Sequence, residues 1–100
     1  MPAQHSEAAM YLGSRIREMR RARSCTLEDL GHLAELAWTN VAKIERGEVS
    51  PSVETVVRIA TALNVDPGEL LQGMHADMYP GRTRKFTARD LTEARSRQRN

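Results

Sequence analysis

Apolar residues along this chain recur at helical spacing, in short blocks separated by turn-forming residues. From about Glu7 to Arg23, Leu12, Ile16 and Met19 fall at i, i+4 and i+7, one face of a helix. Gly13 costs that helix about 1 kcal/mol relative to Ala, so its first turns are expected to fray. Residues 1–6 carry no pattern and are expected to be a loose terminus. Ser24-Cys25-Thr26 break the helix, and Thr26-x-x-Asp29 has the spacing of an N-cap with a carboxylate reaching back. A second helix over Leu27–Ala34 follows, with Leu30, Leu33 and Ala34 on one face. After the turn Glu35-Leu36-Ala37, a third helix spans about Trp38–Arg46, turns Val41 and Ile44 inward, and stops at Gly47 as a left-handed C-cap. Two helices this short cannot hide Leu30, Leu33, Ala34, Leu36, Val41 and Ile44 by themselves, so they share a core with flanking helices.

Glu48-Val49-Ser50-Pro51 reads as a loop, and Ser52 as the N-cap of a fourth helix over Val53–Leu63. Its apolar stripe is Val53, Val56, Val57, Ile59, Ala60 and Leu63, and Asn64 suits its C-cap. Asp66-Pro67-Gly68-Glu69 repeats the start signal, with Pro67 at the first helical position. A short fifth helix through Leu70-Leu71 ends near Gly73. No segment of this body alternates with period two, so no strand is expected. The body is therefore a five-helix, all-α unit over residues 7–73. Residues 74–100 are polar and basic, with a turn at Pro80-Gly81. Thr87-x-x-Asp90 could start a short helix over Thr87–Arg95, but Ala88, Leu91 and Ala94 are too small a stripe to hold it to the body. That stretch is expected to be disordered unless a partner orders it.

Composition narrows the class. A chain of 100 residues fits one domain, and four aromatic residues suit a small helical unit with an aliphatic core. One cysteine permits no internal disulfide, in keeping with a reducing compartment. No apolar run approaches the roughly 20 residues of a membrane span, and the N-terminus lacks the basic-then-apolar order of a signal peptide. A cytoplasmic, nucleoid-associated protein with no membrane contact is expected. The net charge of +2 hides an asymmetry: residues 76–100 hold seven Lys and Arg against three acidic residues, and the remainder hold eight against ten. The body is thus −2 and the tail +4, so any attraction to nucleic acid must be local. Candidates are Arg15, Arg17, Arg20, Arg21 and Arg23, then Lys43, Arg46 and the tail. The arginines late in the first helix also complement its dipole, which alone would explain them.

Between the inward positions of the third helix sit Trp38, Thr39, Asn40 and Lys43. Asn40 can pair with adenine N6 and N7, Thr39 can bond a base or pack on a thymine methyl, and Lys43 can reach guanine or a phosphate. Trp38 either touches sugar and methyl groups at a groove edge or packs against Leu27. Arg46 and the end of the first helix can grip phosphates, which orients a protein without reading sequence. An exposed polar helix face explains the same residues without any ligand.

The ordered set of segments resembles the Cro/C1-type (XRE) family of helix-turn-helix regulators over about Leu12–Gln72. The most diagnostic piece is Val41-Ala42-Lys43-Ile44-Glu45-Arg46-Gly47-Glu48-Val49-Ser50-Pro51-Ser52-Val53-Glu54-Thr55, supported by Leu12-Gly13-Ser14-Arg15-Ile16-Arg17 and by Ala60 through Leu71. The resemblance implies a compact five-helix, lambda-repressor-like domain that binds double-stranded operator DNA as a homodimer, without cofactor or metal. The implied recognition helix lies in the major groove with Trp38, Thr39, Asn40, Lys43 and Arg46 as its contacts. Pairing is implied through helix 5 and the Gln72–Tyr79 stretch. An ion pair between Arg20 and Glu45 is implied as well, as scaffold. Cys25 stands where relatives place an aliphatic residue, so burial as a small hydrophobe is favoured over a redox role. Three positions depart from the family's pattern. Leu27 replaces a Gln that bonds DNA. Glu35 replaces a turn Gly, at roughly 1 kcal/mol if the backbone is left-handed. Ala37 replaces a capping Ser or Thr, leaving Thr39 as the alternative cap and a shifted helix start.

Two other readings share the fold. One is an antitoxin whose tail binds a toxin; the other is an interaction module without operator binding, for which Leu27, Glu35, the acidic body and Glu48 speak. An enzyme is not expected. His5, His32 and His75 are scattered, His32 reads as solvent-facing, and no metal spacing, strand-borne nucleophile or Gly-rich phosphate loop occurs.

Overall fold

The computed structural model describes residues 4–79 and 86–98. Helices α1 (Glu7–Ala22), α2 (Leu27–Ala34), α3 (Trp38–Glu45), α4 (Val53–Leu63) and α5 (Pro67–Leu71) build the body, and α6 (Ala88–Gln98) follows a single 3-10 turn at Ala76–Met78. No strand occurs among the described residues. The core is one cluster drawn from all five body helices: Leu12 and Ile16, Leu30 and Ala34, Val41 and Ile44, Val56, Ile59, Ala60 and Leu63, and Leu70. Burying each Val, Leu or Ile among them contributes roughly 1.5–3 kcal/mol. Helices α2 to α5 are too short to persist alone in water, so they owe their stability to this shared packing.

Local signals place the helix ends. Thr26 and Asp29 form both bonds of a capping box, at 3.0 Å each way. Ser52 accepts from the Thr55 amide at 3.1 Å, and Asp66 from the Gly68 amide at 2.7 Å. Asn64 closes α4 in the left-handed region at φ 60°, and Gly47 follows α3 at φ 74°.

Several expectations are corrected. The N-terminal segment is not loose from residue 5 onward. The His5 amide donates to the Gly47 carbonyl at 2.7 Å, and the Ser6 hydroxyl caps α1 by accepting from Ala9 at 3.0 Å. Gly13 does not fray α1, because it is where α1 and α3 come closest. A Cβ there would lie 2.3 Å from the Ile44 carbonyl oxygen and 2.6 Å from that of Glu45. The helix-propensity loss is the condition for that approach. On α2 the inward face is Leu30, Gly31 and Ala34, while Leu33 is 60% exposed. On α4 only Val56, Ile59, Ala60 and Leu63 are buried, and Val53 stands 80% exposed. In the tail the Thr87–Asp90 cap is used as read, with bonds at 3.0 and 3.2 Å, but α6 runs on past Arg95 to Gln98, with none of its residues buried. Basic Arg95 and Arg97 in its last turn favour that extension. The turn expected at Pro80-Gly81 lies outside the described residues.

Candidate nucleic-acid interface

The capping box starts α2, and α2 ends on Glu35 with a left-handed backbone (φ 57°, ψ 44°). The backbone is thus left-handed where Glu replaces the family's Gly, and it carries a steric cost of roughly 1 kcal/mol. Arg58 on α4 reaches across to the strained turn. It donates to the Glu35 carbonyl at 3.5 Å, approaches its carboxylate at 3.7 Å, and bonds Glu54 at 2.9 Å. Nothing in the sequence spacing marks Arg58 for that role, since the contact spans 23 residues.

The chain then turns into α3 through Leu36, whose amide donates to the Gly31 carbonyl at 2.8 Å. Gly31 permits the tight crossing, because a Cβ there would meet the Leu36 oxygen at 2.8 Å and the Trp38 backbone at 3.1 Å. Ala37 is the N-cap of α3, with no side-chain cap bond. Thr39 therefore does not cap, and the helix start is not shifted. Its hydroxyl is left for other partners, on the second residue of the helix.

Trp38, Thr39, Asn40 and Lys43 are all exposed, whereas Val41, Ala42 and Ile44 are buried. The helix is split into a core face and a chemically mixed outer face. Trp38 keeps 48% of its surface open. Its ring is therefore not sealed against Leu27, which is itself partly buried against the core.

The scaffold holding α3 is an ion pair between helices. Arg20 donates to the two carboxylate oxygens of Glu45 at 2.7 and 3.0 Å, and to the Cys25 carbonyl at 2.8 Å. The side chains are only 11% and 5% exposed. The Glu45 hydrogen bond, with its charge, raises the Arg20 pKa further beyond its ordinary value, against an opposing effect of burial. Such bidentate guanidinium–carboxylate pairs fix orientation as well as position. Cys25 lies beside them, half-buried and packed against the core. Burial pushes its thiol pKa up, with Asp29 adding to the effect, which suppresses the nucleophilic thiolate.

At the other end of α3, Arg17 and Arg21 of α1 and Arg46 surround a shallow depression floored by Leu27, Ala42 and Glu45. All three arginines are exposed. Arg46 is additionally bonded to Glu48, and this bond raises its pKa. The candidate arginines of α1 thus divide. Arg20 is scaffold, Arg17 and Arg21 join Arg46, and Arg15 is committed elsewhere, donating to Tyr11 Oη and to the Gln72 carbonyl at 2.5 and 2.7 Å. His32 is exposed, as read from the sequence. Among the described residues no three His, Cys, Asp or Glu are grouped to hold a metal.

A tight left-handed turn joins two short helices, the second offering a polar face and braced from behind. The helix-turn-helix domain family matches residues 11–72. The chain belongs to that family. An HTH-type transcriptional regulator, DdrOP3 of Deinococcus deserti, is 32% identical over 65 residues, covering 65% of this chain and 50% of its own length. This chain thus spans about half the length of that relative. Among solved structures, the restriction-modification controller protein C.AhdI of Aeromonas hydrophila is 35% identical with a TM-score of 0.61, over 62% of this chain and 94% of that one. The P22 c2 repressor, solved with a synthetic operator, is 28% identical with a TM-score of 0.59, over 63% of this chain and 96% of its own. The helix-turn-helix unit here is α2–α3, and the Cro/C1-type, lambda-repressor-like fold read from the sequence is the one these relatives share. No helix among the described residues is long and apolar enough to cross a membrane.

Proposed function

We propose that this chain is a sequence-specific DNA-binding transcriptional regulator that reads operator DNA with α3 in the major groove, as a homodimer in the bacterial nucleoid. One observation carries the reading: the exposed face of α3 holds Trp38, Thr39, Asn40 and Lys43, and its far end adjoins the arginine cluster of Arg17, Arg21 and Arg46. Base-reading groups sit on the first turn and a half, where a recognition helix meets base edges. Asn40 takes adenine, Thr39 a base or thymine methyl, and Lys43 guanine or phosphate. Trp38 covers sugar and methyl surface at the groove edge. The arginines clamp phosphates and set register. In this account the acidic body is tolerable because the contact is local and its base readout does not depend on net charge.

The other two readings gain no support from this geometry. An interaction module needs no coherent polar face on α3, and a toxin-binding tail says nothing about that face. Selection of bound duplexes from a random pool tests the proposal. A dimer predicts an enriched motif with twofold symmetry whose half-sites lie about 34–36 Å apart, one helical turn. A pool with no enriched motif, at low as well as physiological salt, would overturn it.

A further inference from the structure

Glu48 is an acidic residue next to the proposed DNA face, and on charge alone it counts against operator binding. Its surroundings give it a different part. Arg46 and Glu48 stand two positions apart, a spacing at which side chains on a helix do not face each other. Gly47 breaks the helix between them. Its left-handed backbone, φ 74°, turns the chain at the end of α3, and the Glu48 amide then donates back to the Lys43 carbonyl at 3.0 Å. The turn is pinned from α1. A Cβ on Gly47 would meet the Met10 Cα at 2.8 Å, and the Gly47 carbonyl accepts from the His5 amide at 2.7 Å. Glu48 is thereby folded back against Arg46, and its carboxylate accepts from the guanidinium Nε.

The pair has an inner and an outer member. The Glu48 side chain is 13% exposed and that of Arg46 57%. Because the carboxylate holds Nε, the donor nearest the stem, the terminal nitrogens of Arg46 stay without a partner among the described residues. A guanidinium donates from a rigid planar fork, and its terminal N–H groups match a phosphate in pairs. Arg17 and Arg21, around the same depression, have no side-chain hydrogen bond or ion pair among the described residues. Such free side chains lose rotamer freedom only on meeting DNA, whereas a held arginine has lost it already on folding.

We infer that Glu48 is a positioning residue, whose carboxylate fixes Arg46 with its terminal nitrogens presented to a DNA phosphate beside α3. This role rests on the reading of Arg46 as a phosphate clamp above and deepens it. Glu48 then acts in two opposed ways: its bond aims Arg46, and its charge repels the phosphate. Gln keeps an oxygen acceptor without the charge, and Ala keeps neither. E48Q and E48A therefore carry the same charge and differ in the bond to Arg46.

Fluorescence anisotropy with the operator duplex recovered by the selection above separates the two effects. E48A binds about two- to tenfold more weakly per protomer than E48Q, the fold-change that corresponds to ordering one long side chain at the interface. In an R46A background the two bind equally. E48M, which keeps most of the side-chain volume without the oxygen acceptor, behaves as E48A does, and circular dichroism with thermal unfolding verifies that each variant is folded. R46A itself binds more weakly and lowers the slope of log K against log salt by about 0.9 for the lost phosphate contact. If E48Q and E48A bound alike, Glu48 would act through its charge alone. If their difference persisted in R46A, Glu48 would support the loop and not the arginine. Either result overturns the positioning role and leaves DNA reading by α3 intact. An R46A protein with wild-type affinity and salt slope would overturn the clamp reading of Arg46 and this inference together, as would the absence of any enriched operator.

Discussion

Replacing Arg20 with Met removes one partner of the pair that fastens α3 to α1. The Glu45 carboxylate is then left in a site where its side chain is 5% exposed, with neither of its 2.7 and 3.0 Å bonds to Arg20. Breaking a buried pair from one side costs about 3–5 kcal/mol. The freed Cys25 carbonyl, which accepted at 2.8 Å, adds to that cost. A body of about 70 residues has a total stability of roughly 4–10 kcal/mol at ~0.05–0.15 kcal/mol per residue. R20M therefore removes a third or more of it. With an unfolding entropy of about 0.15 kcal/mol/K for that size, a 3 kcal/mol loss lowers Tm by about 20 °C. R20M/E45M removes both charges and substitutes apolar volume, a change often neutral or stabilising for buried pairs. The double variant should thus recover most of the loss. Urea unfolding followed by circular dichroism gives all the corners of this cycle. If R20M alone cost less than about 1 kcal/mol, or the double variant lost the sum of the two singles, the pair would not be the buried clamp described.

Gly13→Ala should destabilise by about 1–3 kcal/mol, because its methyl would meet the backbone of α3; a gain in Tm, the usual result of Gly→Ala inside a helix, would show that α1 and α3 are not in close contact there. The Asp29 carboxyl is held below its ordinary value mainly by the Thr26 amide and then its hydroxyl. Its contribution is therefore present above the ordinary carboxylate pKa and lost as pH falls through the depressed one. Wild type and D29N should differ in stability at neutral pH and converge in acid, whereas a constant gap would refute the capping assignment. Replacing Arg17 and Arg21 with Ala should flatten the dependence of log K on log salt by about 0.9 for each phosphate no longer neutralised, with little change in the preferred sequence; a changed motif at constant slope would reassign them to base readout.

The helix boundaries were legible because caps are local. Thr26/Asp29, Ser52, Asn64 and Asp66 act within a few residues of themselves, and the structure uses each as read. Which apolar residues are buried was less legible, since that depends on how neighbouring helices cross. Leu33 and Val53 keep the helical period yet face outward, while Gly13 and Gly31 take inward places that periodicity assigns to larger side chains. The Arg20–Glu45 pair came from family resemblance, because nothing in a 25-residue separation joins them. Arg58 bracing the Glu35 turn had no sequence signal at all. The outer face of α3 was legible as a set, but its grouping with Arg17 and Arg21 needed the α1–α3 crossing.

The central claim, that the outer face of α3 reads base sequence, is tested most directly on the selected operator itself. The measurement is the ratio of operator affinity to scrambled-duplex affinity at physiological salt, for wild type and for N40A/K43A. Removing one bidentate base pairing and a second polar one should cost about 2–4 kcal/mol of discrimination, a fall of roughly thirty- to a thousandfold in the ratio. Binding to scrambled DNA should change far less. An unchanged ratio in a folded N40A/K43A protein would place the reading surface somewhere other than α3.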